Sequence, residues 1–320
     1  MRYSKKQKFY NLDETPETVV PKSFLRVLKW RLNATPEKWP SQPLADNHND
    51  INNLVELRGD DCRITFINHA TILIQWSSCT VLTDPVFSEK LGPSALFNIK
   101  RYRNPGIAFG NLPKIDYVFI SHNHYDHLDL PSIKKILKRD NPQWIVPLCV
   151  GQYLPKRART RTHELAWWES FQNQDVTMTL VPAQHWSKRG LFDTNQSLWG
   201  GAVISAFDRN IYFAGDTGYG AHFSLIRDRF GLIDVALLPI GAYEPRWFMK
   251  NSHMNPDEAV QAHIELGALQ SIAIHFGTFR LSDEGIDKPV IDLKMALKDR
   301  DIPNDQFNIP KNGQSYCFKS

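Results

Sequence analysis

The chain has 320 residues and a mass of 36.9 kDa, with 42% hydrophobic and 22% charged residues. These values are typical of a folded protein with a sizeable core, and they exclude a small disulfide-stapled scaffold or a wholly disordered chain. The richest apolar stretch, residues 233–243, is interrupted by Asp234, Pro239 and Gly241, so it is not a transmembrane segment. The four cysteines are scattered and form no CxxC pair, which argues against a disulfide framework or a cysteine zinc site.

The charge of the chain is unevenly distributed. Residues 1–40 contain nine Lys/Arg and four Asp/Glu, a local charge of +5, so the rest of the chain, with a total of +4, carries about −1. A nearly neutral body lacks the basic groove that a nucleic-acid backbone requires. The N-terminus has no apolar signal-peptide core, so we expect a cytoplasmic location, including the inner face of the membrane.

Residues 1–53 read as a basic, proline-punctuated arm, and residues 54–320 as the main domain. Within the arm, residues 22–32 (KSFLRVLKWRL) place four apolar side chains at helical spacing among basic residues. Such an amphipathic helix either packs its apolar face on the domain or lies on an anionic lipid surface.

From residue 62 onward, short β-type runs recur along the chain. Helical patterns follow at 131–139 and 255–266; the second has Asn255 as N-cap, Pro256 and Glu258 in the first turn and Gly267 after its end. Hairpin-like strands followed by strand–helix alternation predict an α/β domain with mixed sheets. The predicted strands are 62–67, 71–76, 79–83, 116–121, 144–148, 176–181, 202–207, 211–214, 235–238 and 271–274.

The segment SHNHYDHLD, residues 121–129, directly follows one of these strands. It places His122, His124, Asp126 and His127 within six residues. Burying three imidazoles and a carboxylate requires a polar partner for each, and one divalent cation can serve several of them. The pattern therefore predicts a metal site. Ser121 beside His122 suggests a nucleophile pair instead, but the chain has no GxSxG elbow and the histidine is better used on metal.

One loop cannot complete a catalytic metal site. Three further candidate ligands, His185, Asp216 and His275, each follow a predicted strand, where α/β proteins collect functional groups. Taken singly, each is a weak signal, since such a residue is more often a turn or core residue than a ligand. Together with the 121–129 cluster they favour metal ligation.

The order HxHxDH, then a distant His, an Asp and a last His, resembles the metallo-β-lactamase superfamily. The resemblance implies an α/β fold, an αββα sandwich of two mixed β-sheets flanked by helices, with two Zn²⁺ ions per chain. Manganese or iron suits the same ligand types. The implied ligands are His122, His124 and His185 for one ion and Asp126, His127 and His275 for the other, with Asp216 bridging.

Within the superfamily, further segments resemble the N-acylphosphatidylethanolamine-hydrolysing phospholipase D family. This resemblance implies a phosphodiesterase that releases N-acylethanolamine and phosphatidic acid through a metal-bridging hydroxide. Asp126 is our candidate for orienting that hydroxide or shuttling its proton, in addition to binding metal. The segments that carry it are 83–88 (TDPVFS), 185–201 (HWSKRGLFDTNQSLWGG), 215–220 (GDTGYG), 241–250 (GAYEPRWFMK), 253–259 (HMNPDEA) and 274–279 (IHFGTF).

Residues around the metals have two readings each. His253 is either a catalytic, substrate-contacting residue, as the resemblance implies, or a plain residue before a helix cap; Asp84 either supports a ligand histidine or starts a turn. The aromatic segment 243–249 either forms a surface for acyl chains or packs in the core. Arg246, within this segment, is a candidate partner for the phosphate. The segment's candidate substrate contacts are Tyr243, Arg246, Trp247, Phe248 and Met249.

Alternatives remain open at this stage. They are a lactonase or another phosphodiesterase of the same superfamily acting on a soluble substrate, a nucleic-acid hydrolase, and a binding protein without catalysis. The expected partners are a phospholipid substrate, an anionic membrane surface and a second copy in a homodimer, with no nucleic acid. His69, His163, His222 and His263 receive no role.

Overall fold

A computed structural model describes residues 8–15, 34, 36–42, 44, 57–93 and 98–319. Its helices are α1 (Leu130–Arg139), α2 (His222–Phe230), α3 (Arg246–Met249), α4 (Pro256–Leu266) and α5 (Lys288–Asp299). The strands are β1 (Cys62–Asn68), β2 (Thr71–Gln75), β3 (Thr80–Thr83), β4 (Lys90–Leu91), β5 (Ile99–Lys100), β6 (Tyr117–Phe119), β7 (Gln143–Pro147), β8 (Thr162–Leu165), β9 (Ser170–Gln172), β10 (Thr177–Val181), β11 (Gly201–Ala206), β12 (Arg209–Phe213), β13 (Ile233–Pro239), β14 (Ala268–Ile274), β15 (Phe307–Asn308) and β16 (Ser315–Phe318).

Two seven-stranded mixed sheets form the centre of the fold. The first has the order β16-β1-β2-β3-β6-β7-β8 and the second β15-β14-β13-β12-β11-β10-β9. In each sheet, an antiparallel half built from hairpin-like neighbours continues into a parallel half built through crossovers. β4 and β5 pair separately as a small hairpin.

Apolar side chains fill the space between the sheets and under the helices. Phe66 and Ile72 of the first sheet join Val203 and Leu237 of the second in one buried cluster. A second cluster lies between α1 and the other face of the first sheet, through residues such as Ile133. Helices α2, α4 and α5 cover the second sheet. This is the expected αββα sandwich.

The capping signals of α4 form as the sequence predicts. The side chain of Asn255 accepts a hydrogen bond from the backbone N–H of Glu258, and the side chain of Glu258 accepts one from the Asn255 N–H. Gly267 ends the helix in the left-handed conformation. Helices α2 and α5 were not predicted from the pattern.

Parts of the predicted N-terminal arm pack on the domain. Phe9 donates its N–H to the carbonyl of Asn195, and Trp39 donates its indole N–H to the carbonyl of Glu284. The predicted amphipathic helix at 22–32 and the predicted boundary at residue 53 lie outside the described residues. No helix among the described residues is both long and apolar enough to cross a membrane.

The topology brings the candidate ligands to one edge. Parallel strands β3, β6, β12, β13 and β14 point the same way within their sheets, so the loops that follow them meet at their carboxyl ends. Asp84 follows β3, the 121–129 loop follows β6, Asp216 follows β12 and His275 follows β14.

Candidate metal centre

Three histidines form the first group of candidate ligands. His122 Nε2 lies 2.8 Å from His124 Nδ1, and His185 Nε2 lies 3.3 Å from the same atom. The first two come from the loop after β6, and His185 comes from the segment after β10. Three ring nitrogens from two segments thus converge on one point.

A carboxylate and two histidines form the second group. Asp126 Oδ2 lies 3.3 Å from His127 Nε2 and 3.4 Å from His275 Nε2. Asp216 lies between the two groups: its Oδ1 is 3.1 Å from His275 Nε2, and its Oδ2 is 3.2 Å from His127 Nε2 and 3.8 Å from His185 Nε2. The structure therefore brings all seven predicted ligands together, with Asp216 between the two groups.

The donor set fits metal ions better than it fits hydrogen bonds. Within the described part of the chain, the buried atoms His127 Nε2, His275 Nε2 and Asp216 Oδ1 have no aligned hydrogen-bond partner, although they lie within 3.2 Å of a carboxylate or imidazole atom. Atoms that share a proton align with one another, whereas atoms that share a cation point at a common centre. Imidazole and carboxylate ligands of this kind suit zinc.

Hydrogen bonds on the far side of two rings, those of His127 and His185, fix which nitrogen faces the centre. Asp84 Oδ2 accepts from His127 Nδ1 at 2.7 Å, while Asp84 also accepts from the N–H and hydroxyl of Ser121. His185 Nδ1 lies 2.9 Å from the carbonyl oxygen of Ser252. In both histidines Nδ1 is the donor, which leaves the Nε2 lone pair free for a cation. Asp84 thus occupies the supporting position predicted for it.

The first group presents neutral imidazoles. Burial lowers the pKa of His122 and His185 well below the ordinary value, and neighbouring imidazoles add to this effect. Burial also lowers the pKa of His124, to about 4. Neutral rings are the form that binds metal.

The second group carries the charge. Burial alone would lower the pKa of His127 and His275, but the Asp216 carboxylate raises both. Burial would also raise the pKa of Asp126 and Asp216, yet the positive charge of His127 lowers both. The pocket therefore stabilises positive imidazoles beside negative carboxylates. A bound cation would supply this positive charge in place of the protons.

His69 belongs to the site although sequence reasoning gave it no role. Its Nε2 lies 3.1 Å from Asp126 Oδ2, and its ring packs on that of His275 with centroids 4.0 Å apart. Burial lowers the pKa of His69 to about 3, so the ring is neutral and its Nε2–H donates a hydrogen bond to the Asp126 carboxylate. The available signal was its position: His69 directly follows β1, as His275 directly follows β14.

Two features keep the ligand loop in place. At Gly215 the backbone has φ +61°, and a Cβ there would lie 2.7 Å from Ser121 Cβ, so glycine lets the Asp216 turn approach the loop. Arg189 Nη1 donates to the carbonyl oxygens of Asn123 and Leu128, at 3.0 and 2.8 Å. Its guanidinium also lies 4.1 Å from the ring centroid of Tyr125. Arg189 therefore joins the two ends of the loop.

A largely apolar groove of about 550 Å³ opens onto the centre. His253 borders it, with its Nδ1 3.9 Å from Asp216 Oδ2, and burial lowers its pKa to about 3. The groove is lined by Leu91, Gly92, Pro93, Asn98, Ile99, His124, Tyr125, Asp126, Trp186, Asp216, Ala242, Phe248, Met249, Ser252, His253 and Leu281.

The predicted substrate contacts divide into two sets. Phe248, Met249 and His253 line the groove, whereas Tyr243, Arg246 and Trp247 are absent from its lining. Tyr243 is buried and donates its hydroxyl to Asp292. Arg246 pairs with Glu258 at 2.7 Å and donates to the carbonyl of His253, so it supports the site from behind instead of facing a phosphate. Trp247 is half exposed to solvent.

The other unassigned histidines make structural hydrogen bonds. His163 bonds Gln143, His222 bonds Thr217 and His263 bonds Ser271. All four cysteines are free.

With this geometry in hand, comparison with known proteins is direct. The family model described as "Beta-lactamase superfamily domain" matches residues 79–276, more than half of the chain. The chain belongs to the metallo-β-lactamase superfamily. The matched range contains every candidate metal ligand.

Individual relatives refine this picture. "N-acyl-phosphatidylethanolamine-hydrolyzing phospholipase D 1" of Caenorhabditis elegans is 40% identical over 67% of this chain and 64% of its own length. The mitochondrial protein of the same description from Saccharomyces cerevisiae is 36% identical over 82% of this chain and 58% of its own length. This chain thus spans less than two thirds of either relative. A possible metal-dependent hydrolase of Veillonella parvula has a TM-score of 0.63 at 18% identity, covering 79% of this chain and 98% of its own, which supports the fold alone.

Proposed function

We propose that this metal-dependent hydrolase is a dinuclear zinc phosphodiesterase of the phospholipase D type. Its substrate would be N-acylphosphatidylethanolamine, the lipid named in the descriptions of the nematode and yeast relatives. The observation that carries the proposal is the position of Asp216 between two groups of ligand atoms at the base of an apolar groove.

The groove favours a lipid over a soluble sugar phosphate or lactone. Apolar side chains such as Leu91, Ile99 and Phe248 line it, and the polar groups gather at the metal end. An acyl chain gains about 0.8 kcal/mol per buried methylene in such surroundings. A small, highly hydroxylated substrate would leave this lining unused.

The reaction consumes one water molecule. Water oxygen bonds to phosphorus, the bond from phosphorus to the ethanolamine oxygen breaks, and that oxygen leaves with a proton as N-acylethanolamine. Phosphatidic acid is the other product. Two bound cations would lower the pKa of the attacking water and neutralise charge on the phosphoryl oxygens.

Protein side chains would orient the reactants. Asp126 reaches the groove while His69 holds its Oδ2, so the carboxylate is fixed for positioning the water or accepting its proton. His253, neutral at physiological pH, borders the same space and would hydrogen-bond a phosphoryl oxygen. Both are our candidates for catalytic residues.

The test is mass-spectrometric product analysis with N-acylphosphatidylethanolamine in mixed micelles. We expect N-acylethanolamine to be released, and we expect release to disappear in His185→Ala but to persist in His163→Ala, a variant at a histidine outside the site. Turnover of soluble lactones or phosphodiesters without lipid hydrolysis would contradict the proposed lipid substrate. The protein would then be a hydrolase that acts on a soluble substrate.

A further inference from the structure

Two apolar side chains project from the segment that follows His185. Leu191 and Phe192 are 82% and 88% exposed, and the next most exposed large apolar side chain among the described residues is Met295, at 58%. A single exposed leucine needs no explanation, but an adjacent Leu–Phe pair this bare is unusual.

Hydrogen bonds hold the backbone on both sides of this pair, which we call the Leu191–Phe192 tip. The Asp193 carboxylate accepts from Gly190 N–H at 2.7 Å and from the Tyr153 hydroxyl at 2.9 Å. Gln196 Nε2 donates to the Phe192 carbonyl at 2.7 Å. The tip is therefore exposed on a turn whose backbone is held in place by hydrogen bonds.

The tip is joined to the rim of the groove. Arg189, two residues before Leu191, stacks on Tyr125, and the Tyr125 hydroxyl donates to the Arg189 carbonyl at 3.0 Å. Tyr125 lines the groove. Ile99, in the groove lining, is also exposed, and the exposed Trp247 ring packs edge-on against Phe248, which lines the groove.

The charges next to these segments favour an anionic surface. Lys90 and Lys100 belong to the β4–β5 hairpin at the groove, Lys188 precedes the tip, and Lys250 follows α3. The acidic groups of the same segments are Glu89, Asp193 and Glu244. The Asp193 carboxylate is engaged in the turn, and the Glu244 carboxylate accepts from the backbone N–H of Arg246. Lysines near a membrane surface are attracted to anionic lipid.

We propose that the Leu191–Phe192 tip inserts into an anionic lipid surface and holds the mouth of the groove against it. This rests on the proposed function, since it explains how a lipid substrate reaches the metal centre from a membrane. A lipid surface suits the tip better than a second copy of the chain, because two side chains are far less than the roughly 800 Å² per partner of a stable interface.

The first test is co-sedimentation of the full chain with vesicles of phosphatidylcholine and phosphatidylglycerol. We expect the double variant Leu191→Ser, Phe192→Ser to reduce the vesicle partition coefficient by roughly tenfold or more, since both side chains lose apolar burial. The matched control is Ile291→Ser, Met295→Ser, which alters two exposed apolar residues on α5, outside the groove lining, and should leave partitioning unchanged.

A second variant tests insertion directly. Phe192→Trp should add fluorescence that brominated lipids quench, whereas Ile291→Trp should add fluorescence that they do not. Partitioning that is equal in wild type and the serine double variant would overturn the proposal, as would a wild-type chain that does not bind vesicles. Loss of a dimer in sedimentation velocity, with vesicle binding unchanged, would assign the tip to a second copy.

These outcomes are separate from those of the proposed function. Vesicle binding is measured without turnover, so its result does not depend on the identity of the substrate. In mixed micelles, which need no bilayer docking, the serine double variant should retain the hydrolysis rate of the wild type.

Discussion

At the scale of single residues, the site depends on which nitrogen of each histidine carries the proton. Asp84 decides this for His127: its buried carboxylate accepts from Nδ1 and leaves Nε2 for a cation. Asp84 has φ +32°, a conformation that asparagine also tolerates, so the isosteric change does not disturb the backbone.

We therefore expect Asp84→Asn to lower metal affinity about 10- to 100-fold, because an amide can present N–H to His127 and favour the wrong tautomer. The measurement is a competition titration with a zinc chelator. Asp116→Asn is the control, since Asp116 accepts from Thr80 N–H on the same sheet but lies outside the centre. Equal affinities for Asp84→Asn and wild type would contradict this role.

Residue-scale prediction from the sequence succeeded where a residue type was repeated in a pattern. The spacing in 121–129, and three polar residues that each follow a strand, located all seven converging side chains. It failed for His69, which stands alone after β1, and for Arg246, whose ion pair with Glu258 depends on a turn from α3 to α4 that no local pattern indicates.

At the scale of elements, the ligand loop is braced by Arg189 from a different segment. The guanidinium binds the carbonyl oxygens of Asn123 and Leu128 and stacks on Tyr125. Three of the seven candidate ligands, His124, Asp126 and His127, lie between those two carbonyls, so their mutual spacing depends on this contact.

Arg189→Ala should weaken binding of the second metal ion and lower kcat by about 10- to 100-fold, the range found for supporting residues of metal sites. The control is Arg139→Ala, because Arg139 binds the carbonyl oxygens of Phe109, Leu112 and Pro113 and stacks on Phe109 away from the centre. If metal content and kcat change equally in the two variants, general destabilisation explains the effect of Arg189→Ala, and the specific role of Arg189 is contradicted.

Elements were predictable where their ends are marked in the sequence. Helix α4 has a complete capping box and a C-terminal glycine, and its bounds agree with the prediction. Helices α2 and α5 form no side-chain hydrogen bond at the N-cap, and their apolar side chains pack on the second sheet. Strands β8 and β9 are largely exposed and lack the apolar alternation that identified the others.

At the scale of the whole molecule, residues near the N-terminus reach the site. Asn11 Oδ1 accepts from His185 N–H at 2.9 Å and from the Trp199 indole at 3.1 Å. The sequence could not indicate this contact, which joins residues 174 positions apart. Deleting residues 1–40 would therefore disturb a metal ligand as well as any lipid contact of the arm.

Asn11→Ala should lower the free energy of unfolding by about 1–3 kcal/mol, because the buried His185 N–H loses its acceptor, while the Trp199 indole keeps the carbonyl of Ala183. Denaturant unfolding monitors this change. Asn173→Ala, at an asparagine that caps a surface turn, should cost less. A stability equal to that of wild type would show that water replaces Asn11 and that the terminal segment is dispensable.

Acid should destabilise the fold through buried neutral histidines. Burial lowers the pKa of His222 to about 3 from 6.5, so the unfolded chain takes up this proton first, and stability falls with pH from about 6.5 towards 3. With metal removed by chelation, His222→Gln should lose about 2 kcal/mol less stability than wild type between pH 7 and pH 5. Identical losses in urea titrations would contradict a neutral, buried His222.

The central claim is that two groups of ligands share Asp216 in a dinuclear centre. Native mass spectrometry of the intact chain with its metals tests this most directly. We predict about two zinc ions per wild-type chain and a lower occupancy in Asp216→Ala, whose bridging carboxylate is removed. A wild-type chain that binds no metal, or an Asp216→Ala chain that holds both ions as tightly as wild type, would contradict the account.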